Sequence, residues 1–246
     1  MSPTTWTPTA LASEARPCAG RAWRLVEAQH VVATMKLVDD ADEQAMLEDM
    51  LDAAKPPLPR AAQGLHCLLA TPFRYPPLPR GSRFRAAGEP GVFYGAGELR
   101  TAAAELGYWR WRFLKDAPGL ARLDPVAHTA FRVSARAERA LDLRVPPLVR
   151  DAKGWTDPHS YAATQALARA AREASVEAIV YASVRDSDRG MCVALLVPTA
   201  FAAKVPDAPT QTWWLSVQQD QVIWVRDEVR MGFAYAGTDA GPGRFR

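Results

Sequence analysis

The stretch Gly81–Glu105, GSRFRAAGEPGVFYGAGELRTAAAE, predicts a loop, a short strand and a helix in succession. Its first residues are rich in Gly, Ser and Arg, a composition typical of a loop. The apolar run Val92–Tyr94 then predicts a short strand, and the spacing of the next apolar residues predicts a helix over Glu98–Leu114. This order places Arg83 in the loop and Tyr94 at the end of the strand.

A second strand supplies the other part of the predicted site. The apolar run Ala178–Tyr181 predicts that strand, and Ser183 follows at its carboxyl end, where ligands of mixed α and β folds tend to bind. Glu105 lies on the predicted helix, at the edge of its apolar face. An arginine that can hold a phosphate, a carboxylate that can stabilise positive charge and a hydroxyl that can orient a substrate indicate chemistry on a dinucleotide.

Four short motifs resemble those of the RES-domain family, the toxins of RES–Xre toxin–antitoxin pairs, which is named for its Arg, Glu and Ser. The motifs are Ser82-Arg83-Phe84, Gly91-Val92-Phe93-Tyr94, Thr101-Ala102-Ala103-Ala104-Glu105 and Tyr181-Ala182-Ser183-Val184-Arg185-Asp186. Each motif is common by chance, and their order over roughly residues 65 to 235 carries the resemblance. It implies an α+β fold similar to that of ADP-ribosyltransferases, with central mixed or antiparallel sheets flanked by helices.

The resemblance also implies an activity. RES proteins are associated with degrading NAD+ by phosphorolysis, so the chain would be an NAD+ phosphorylase of the glycosyltransferase class. Its products would be nicotinamide and ADP-ribose 1''-phosphate, with inorganic phosphate as co-substrate and no metal or other cofactor. Hydrolysis to ADP-ribose, transfer of ADP-ribose to a protein, and a non-catalytic interaction protein that keeps the fold remain alternatives.

Six residues follow from the resemblance as site residues, namely catalytic Arg83, Glu105 and Ser183 and substrate-binding Phe84, Arg85 and Tyr94. Glu105 would stabilise the positive charge that develops on the ribose as the nicotinamide leaves. Many relatives carry a small polar residue where Arg85 stands, so Arg85 is either a second phosphate contact or a surface residue. Arg185 and Asp186 in the last motif are expected to pair with each other.

The composition is that of an ordinary folded protein. The 246 residues are 48% apolar and 23% charged, with a net charge of +3, which argues against disorder and leaves ample length for a buried core. Only five of the 30 basic residues are lysines. Arginine suits phosphate recognition, although a GC-rich coding genome produces the same bias.

The run Tyr108–Phe113 alternates aromatic residues with arginines, a pattern also found on surfaces that bind single-stranded nucleic acid. Helical spacing instead predicts that Trp109 and Phe113 belong to the core and that the arginines face outward. With the modest net charge, we expect no direct binding of nucleic acid.

The cysteines and histidines indicate neither a disulfide framework nor a metal site. The three cysteines are widely spaced and odd in number, and the four histidines lack the spacing of metal ligands. The first residues do not form a basic stretch followed by an apolar run, and no apolar run approaches the roughly 20 residues that span a bilayer. We therefore expect a cytoplasmic protein that does not contact membranes.

The proline-rich segment Lys55–Pro59 is the predicted domain boundary. It separates an N-terminal extension, residues 1–60, from a RES domain over residues 61–236, and residues 237–246 are predicted to be a frayed tail. The extension includes a predicted amphipathic helix over Asp40–Ala54.

The extension is expected to pack on the main domain, because Trp23, Leu25, Met46 and Leu47 need burial. The resemblance further implies a partner, an Xre-like antitoxin with a helix-turn-helix domain whose C-terminal part occupies the cavity of the toxin. The oligomeric state stays open, including a homo-oligomer.

The remaining elements follow from local patterns. The run Leu65–Thr71 is predicted to be a strand, and Pro158–Ala174 is predicted to be a helix with proline near its start. Further strands are predicted at Phe131–Val133, Ala140–Val145, Met191–Val197, Trp213–Val217, Val222–Val225 and Gly232–Tyr235. Gln218–Asp220 is expected to close a hairpin.

Overall fold

The structure is a computed structural model that describes residues 6–28, 40, 42–43, 46–47, 50–51, 54–75, 81–235 and 242–243. Of the helix predicted over Asp40–Ala54, the described residues 42–43, 46–47 and 50–51 are helical. The predicted frayed tail lies outside the described residues, apart from residues 242–243.

The helices are α1 (Pro8–Glu14), α2 (Cys67–Arg74), α3 (Leu99–Asp116), α4 (Ala152–Trp155) and α5 (Ala162–Glu173). The strands are β1 (Arg16–Glu27), β2 (Phe93–Ala96), β3 (Leu123–Asp142), β4 (Ala178–Ala182), β5 (Met191–Leu195), β6 (Asp207–Val217), β7 (Gln221–Arg226), β8 (Val229–Tyr235) and β9 (Pro242–Gly243). Short 3-10 helices lie at Arg60–Ala62, Leu148–Asp151 and Pro198–Ala200.

All nine described strands belong to one sheet, in the order β1-β2-β5-β4-β3-β6-β7-β8-β9. The pair β3–β4 is parallel and the other pairs are antiparallel. Since β1 pairs with both β2 and β3, the strands β1, β2, β5, β4 and β3 close a circuit. The predicted α+β class, with a central mixed sheet flanked by helices, is confirmed.

The two faces of the sheet bury different cores, because successive residues of a strand point to opposite sides. Phe93 of β2 packs in a core with Phe131, Leu195 and Phe201. Tyr94, the next residue, packs against the second core, which lies on the side of α3 and α5. The candidate site is on this second side.

Helix α3 lies closely against β7 and β8. A Cβ added at Gly107 would stand 2.8 Å from Val222 Cγ2, so glycine permits this approach. The buried face of α3 includes Trp111 and Leu114, whereas Trp109 is 48% and Phe113 is 56% exposed. The prediction that Trp109 and Phe113 are core residues is therefore wrong, because the stripe that meets the sheet consists of Ala104, Gly107, Trp111 and Leu114.

The prediction of a strand over Leu65–Thr71 is also wrong, because this segment starts helix α2. His66 is its N-cap, and its ring Nδ1 accepts a hydrogen bond from Leu68 N at 3.2 Å. Leu69 and Phe73, four residues apart, bury one helix face in the Phe93 core. A short apolar run does not by itself distinguish a strand from a buried helix.

Most other elements agree with their predictions. Strands β4 to β8 lie where the five C-terminal strands were predicted, and Gln218 N donates to Gln221 O at 2.8 Å to close the hairpin. The strand expected at Phe131–Val133 and the first half of the one expected at Ala140–Val145 are parts of one 20-residue strand, β3, which ends at Asp142. The helix expected from Pro158 begins at Ala162.

The N-terminal segment joins the sheet through β1, which pairs with β3 from Arg16 to Glu27. Leu25 is buried and Trp23 is partly buried against the α3-side core, as expected. Met46 is instead 66% exposed. The boundaries of the extension and of the main domain stay predictions.

Candidate active site

A cavity of about 360 Å³ lies between the sheet and α3, a size typical of small-molecule sites. Its sheet side is formed by a row of residues on three adjacent strands, since Cys192 of β5 pairs with both Ala96 of β2 and Tyr181 of β4. Arg83 and Glu105 also line this cavity. The fold therefore brings together the arginine and the carboxylate that the sequence analysis singled out.

The loop that carries Arg83 is a tight turn closed by Ser82 N, which donates to Arg85 O at 2.7 Å. Gly81 before it has φ +67°, and a Cβ there would stand 2.2 Å from Arg85 O, so this position requires glycine. Phe84 is fully buried and packs edge-on against Tyr181. Anchoring Phe84 in the core fixes the turn that presents Arg83 to the cavity.

Tyr94 stabilises the same turn through hydrogen bonds of its hydroxyl. Its hydroxyl accepts a hydrogen bond from Phe84 N at 2.9 Å and shares one with Ser82 Oγ at 2.8 Å. Burial raises the pKa of Tyr94, and its hydrogen bonds to Ser82 and Phe84 oppose that shift. Tyr94 thus lines the cavity as a neutral phenol and also positions the Arg83 turn.

The Arg83 side chain is only 8% exposed. Its Nη1 donates to Trp155 O at 2.9 Å and its Nη2 donates to Asp157 O at 3.1 Å. The guanidinium lies 4.8 Å from the centre of the Tyr161 ring. These contacts fix the cation at the cavity wall before any ligand arrives.

Ser183 orients Glu105. The Ser183 Oγ accepts hydrogen bonds from Arg185 N at 3.2 Å and Asp186 N at 3.0 Å, and it donates its own hydrogen to Glu105 Oε1 at 2.5 Å. Val184 N adds a second bond to the same oxygen at 3.3 Å. Ser183 is fully buried and Glu105 lines the cavity, so the serine contacts the carboxylate on the side away from the cavity.

The prediction that Asp186 pairs with Arg185 is wrong. The Asp186 carboxylate accepts hydrogen bonds from Thr101 Oγ1 at 2.8 Å and from Arg100 Nη1, both on α3. Gly190 makes this contact possible, because a Cβ there would stand 2.1 Å from Thr101 Oγ1. Asp186 therefore ties the Ser183 turn to the helix that carries Glu105.

Arg185 is a cavity residue that the sequence analysis missed. It is 5% exposed, its Nη2 donates to Pro158 O at 2.7 Å, and its guanidinium lies 3.7 Å from the centre of the Tyr108 ring. Its position two residues after Ser183 could have indicated a site residue from the sequence. The contacts that direct its side chain, however, come from distant segments.

Two predicted substrate-binding residues lie away from the cavity wall. Phe84 is in the core, and Arg85 points to the outer side of its loop, where Nε donates to Glu89 O at 3.0 Å and Nη2 donates to Tyr75 O at 2.8 Å. Neither lines the cavity, and their role in substrate binding stays a prediction.

Within the described part of the chain, no group of three or more His, Cys, Asp or Glu residues is placed to hold a metal ion. No helix in that part is long and apolar enough to cross a bilayer.

Comparison with known proteins identifies a family and a structural similarity. A chain in the crystal structure of the M. tuberculosis MbcT–MbcA toxin–antitoxin complex is similar to this one, with a TM-score of 0.47 and 12% sequence identity, covering 82% of this chain and 91% of that chain. Comparison with curated protein sequences gave no match. The model of the RES domain matches residues 57–218, more than half of the sequence. The chain therefore belongs to the RES-domain family.

Proposed function

We propose that this protein cleaves the bond between nicotinamide and ribose in NAD+ and transfers the ADP-ribosyl group to inorganic phosphate. One observation carries the proposal: Arg83 and Glu105 line the same cavity, with the carboxylate already oriented by Ser183. The products are nicotinamide and ADP-ribose 1''-phosphate.

The chemistry needs one well-placed carboxylate. As the C–N bond breaks, its electron pair leaves with neutral nicotinamide, and positive charge builds on the ribose. Glu105 stabilises that charge, and the hydrogen bonds from Ser183 and Val184 N hold it in place without neutralising it. A phosphate oxygen then forms the new bond to the ribose carbon.

The charge of the cavity suits a substrate with two phosphates. Its ionisable lining includes the guanidinium residues Arg24, Arg83 and Arg185 against the carboxylate of Glu105. The aromatic lining residues Trp109 and Tyr161 provide surfaces on which a nicotinamide or adenine ring can stack.

We further propose that the protein is the toxin of a toxin–antitoxin pair and that its partner is an Xre-like antitoxin with a helix-turn-helix domain. Membership of the RES-domain family supports both statements. Depletion of NAD+ would be the toxic event, and occupation of the cavity by the antitoxin would prevent it.

A product assay tests the reaction. The purified protein is incubated with NAD+ in the presence and absence of phosphate, and the products are identified by mass spectrometry. We expect ADP-ribose 1''-phosphate only when phosphate is present. Formation of ADP-ribose at a rate independent of phosphate would show a hydrolase, and ADP-ribose attached to protein would show a transferase.

A matched pair of variants separates catalysis from binding alone. Glu105→Gln should abolish NAD+ consumption and relieve growth arrest on expression, whereas Glu98→Gln, an exposed residue just before the same helix, should do neither. If expression of the wild-type protein leaves both cellular NAD+ and growth unchanged, the chain is a non-catalytic member of its family.

A further inference from the structure

Two buried guanidiniums lie at one wall of the cavity without a carboxylate partner. Arg83 is 8% and Arg185 is 5% exposed, and both line the cavity. Within the described residues, the ion pairs of 4.0 Å or less involve other arginines, such as Arg100 with Asp186 and Arg172 with Glu89. Buried charges are normally paired, because removing a charge from water is costly.

One short segment holds both cations. Arg83 donates to the carbonyl oxygens of Trp155 and Asp157, and Arg185 donates to the carbonyl oxygen of Pro158. Carbonyl groups contribute dipoles but no net charge. Three carbonyl groups of the segment 155–158 therefore fix both guanidiniums to the same short segment. They do not neutralise either positive charge.

Two carboxylates, those of Glu105 and Asp157, accept hydrogen bonds near the guanidiniums. Glu105 Oε1 accepts hydrogen bonds from Ser183 and Val184. The carboxylate of Asp157 accepts hydrogen bonds from His159 N and Ser160 N at 2.8 and 2.9 Å. These hydrogen bonds come from uncharged donors, and among the described residues neither carboxylate forms an ion pair of 4.0 Å or less with Arg83 or Arg185. An anionic ligand would therefore be the direct counter-charge that the two guanidiniums lack.

Each guanidinium keeps donors for a ligand. A guanidinium has five N–H groups; the described hydrogen bonds use two of them in Arg83 and one in Arg185. Both planes are held against aromatic rings, Arg83 against Tyr161 and Arg185 against Tyr108. A pre-oriented planar fork is the geometry that binds phosphate oxygens most strongly.

We infer that Arg185 and Arg83 form a two-guanidinium clamp for the pyrophosphate of the dinucleotide, with Arg185 in the role that the sequence analysis gave to Arg85. This inference rests on the proposed function, since it names the residues that would hold the substrate of that reaction. The two phosphates of a pyrophosphate can contact both guanidiniums at once. Inorganic phosphate, the co-substrate of the proposed reaction, could bind the same guanidiniums and is therefore the comparison ligand.

Binding of a probe without nicotinamide tests the clamp separately from catalysis. The dissociation constants of inorganic pyrophosphate and of inorganic phosphate are measured by calorimetry for the wild type, Arg83→Gln, Arg185→Gln and the double variant. Loss of one charge-assisted contact should weaken pyrophosphate binding by about tenfold or more. Because both residues bind one ligand, the double variant should lose less than the product of the two single effects.

Two further variants complete the test. Arg122→Gln removes an arginine that is 74% exposed and does not line the cavity, and it should leave pyrophosphate binding unchanged. Arg185→Lys keeps the charge but loses the planar fork, so its affinity should lie between those of the wild type and Arg185→Gln. If Arg185→Gln does not fold, Arg185→Lys against wild type decides the question.

The outcomes distinguish the clamp from the proposed function. If the wild-type protein binds pyrophosphate through Arg185 but does not consume NAD+, the pyrophosphate clamp is supported and the proposed NAD+-cleaving activity is rejected. NAD+ cleavage with an unchanged KM for NAD+ in a folded Arg185 variant would overturn the clamp alone. A raised KM for phosphate with an unchanged KM for NAD+ would assign Arg185 to the co-substrate and overturn the pyrophosphate assignment.

Discussion

The Ser183 hydroxyl lies 2.5 Å from Glu105 Oε1, although 78 residues separate the two in the chain. Two backbone N–H groups occupy the acceptor side of the Ser183 oxygen, so its single hydrogen points to the carboxylate. The Ser183 hydroxyl thus contacts the Glu105 carboxylate and does not line the cavity.

We expect Ser183→Ala to lower kcat for NAD+ by roughly ten- to a hundredfold, because the carboxylate loses its orienting hydrogen bond, which is worth about 1.5–3 kcal/mol to a charged group. The KM for NAD+ should change little, since Ser183 does not line the cavity. Steady-state kinetics checks this split. Ser187→Ala, in the same loop, is the control, and a loss confined to KM would show that Ser183 contacts substrate.

We expect Gly107→Ala to destabilise the fold by about 1–3 kcal/mol, because an added methyl would overlap the contact between α3 and the sheet. The new Cβ would meet Val222 Cγ2 at 2.8 Å and Tyr235 Oη at 3.2 Å. Urea denaturation measures the change. Gly20→Ala is the matched control, since a Cβ there meets no atom within 4 Å; equal stability of the two variants would contradict the packing argument.

We expect alkylation to separate Cys192 from the other cysteines. Cys192 is buried at the cavity wall, and burial, reinforced by the Glu105 charge, raises the pKa of its thiol far above the usual range. The thiolate is the reactive form, so Cys192 should stay unmodified at pH 8. Cys18 and Cys67 are exposed and should react. Mass spectrometry after iodoacetamide treatment should find modification at these two sites, and early labelling of Cys192 would contradict its burial.

We expect His128 to make stability fall in mild acid. The ring is 1% exposed, and its Nδ1 donates to Val126 O at 2.9 Å. Within the described residues Nε2 has no partner, so protonation there would create a buried charge. Burial lowers the pKa of His128 below its usual value of 6.5.

The unfolded chain therefore binds this proton more readily than the folded protein does. Stability that is present above about pH 6.5 should be lost as the pH falls toward the folded pKa of His128. Urea denaturation between pH 5 and 7 measures this slope, and His128→Gln should reduce it. An equal slope in His128→Gln and in the wild type would contradict the assignment to His128.

The sequence predicted elements best where the local pattern was long or closed by a distinct turn. The helix that carries Glu105 and the hairpin at Gln218–Asp220 follow from apolar spacing and turn residues, which are local properties. Leu65–Thr71 was predicted wrongly, because a run of seven residues fits the period of a strand as well as that of a buried helix.

The family and the order of the Arg83, Glu105 and Ser183 motifs follow from residue types and their spacing, which can be read from the chain. That Arg185 lines the cavity while Arg85 does not, and that Trp111 is buried while Trp109 is exposed, follows from the folded structure alone. The physical reason is that a side chain is directed by partners from distant segments, such as Pro158 O for Arg185 and Val222 for the face of α3 at Gly107. Local periodicity carries no information about those partners.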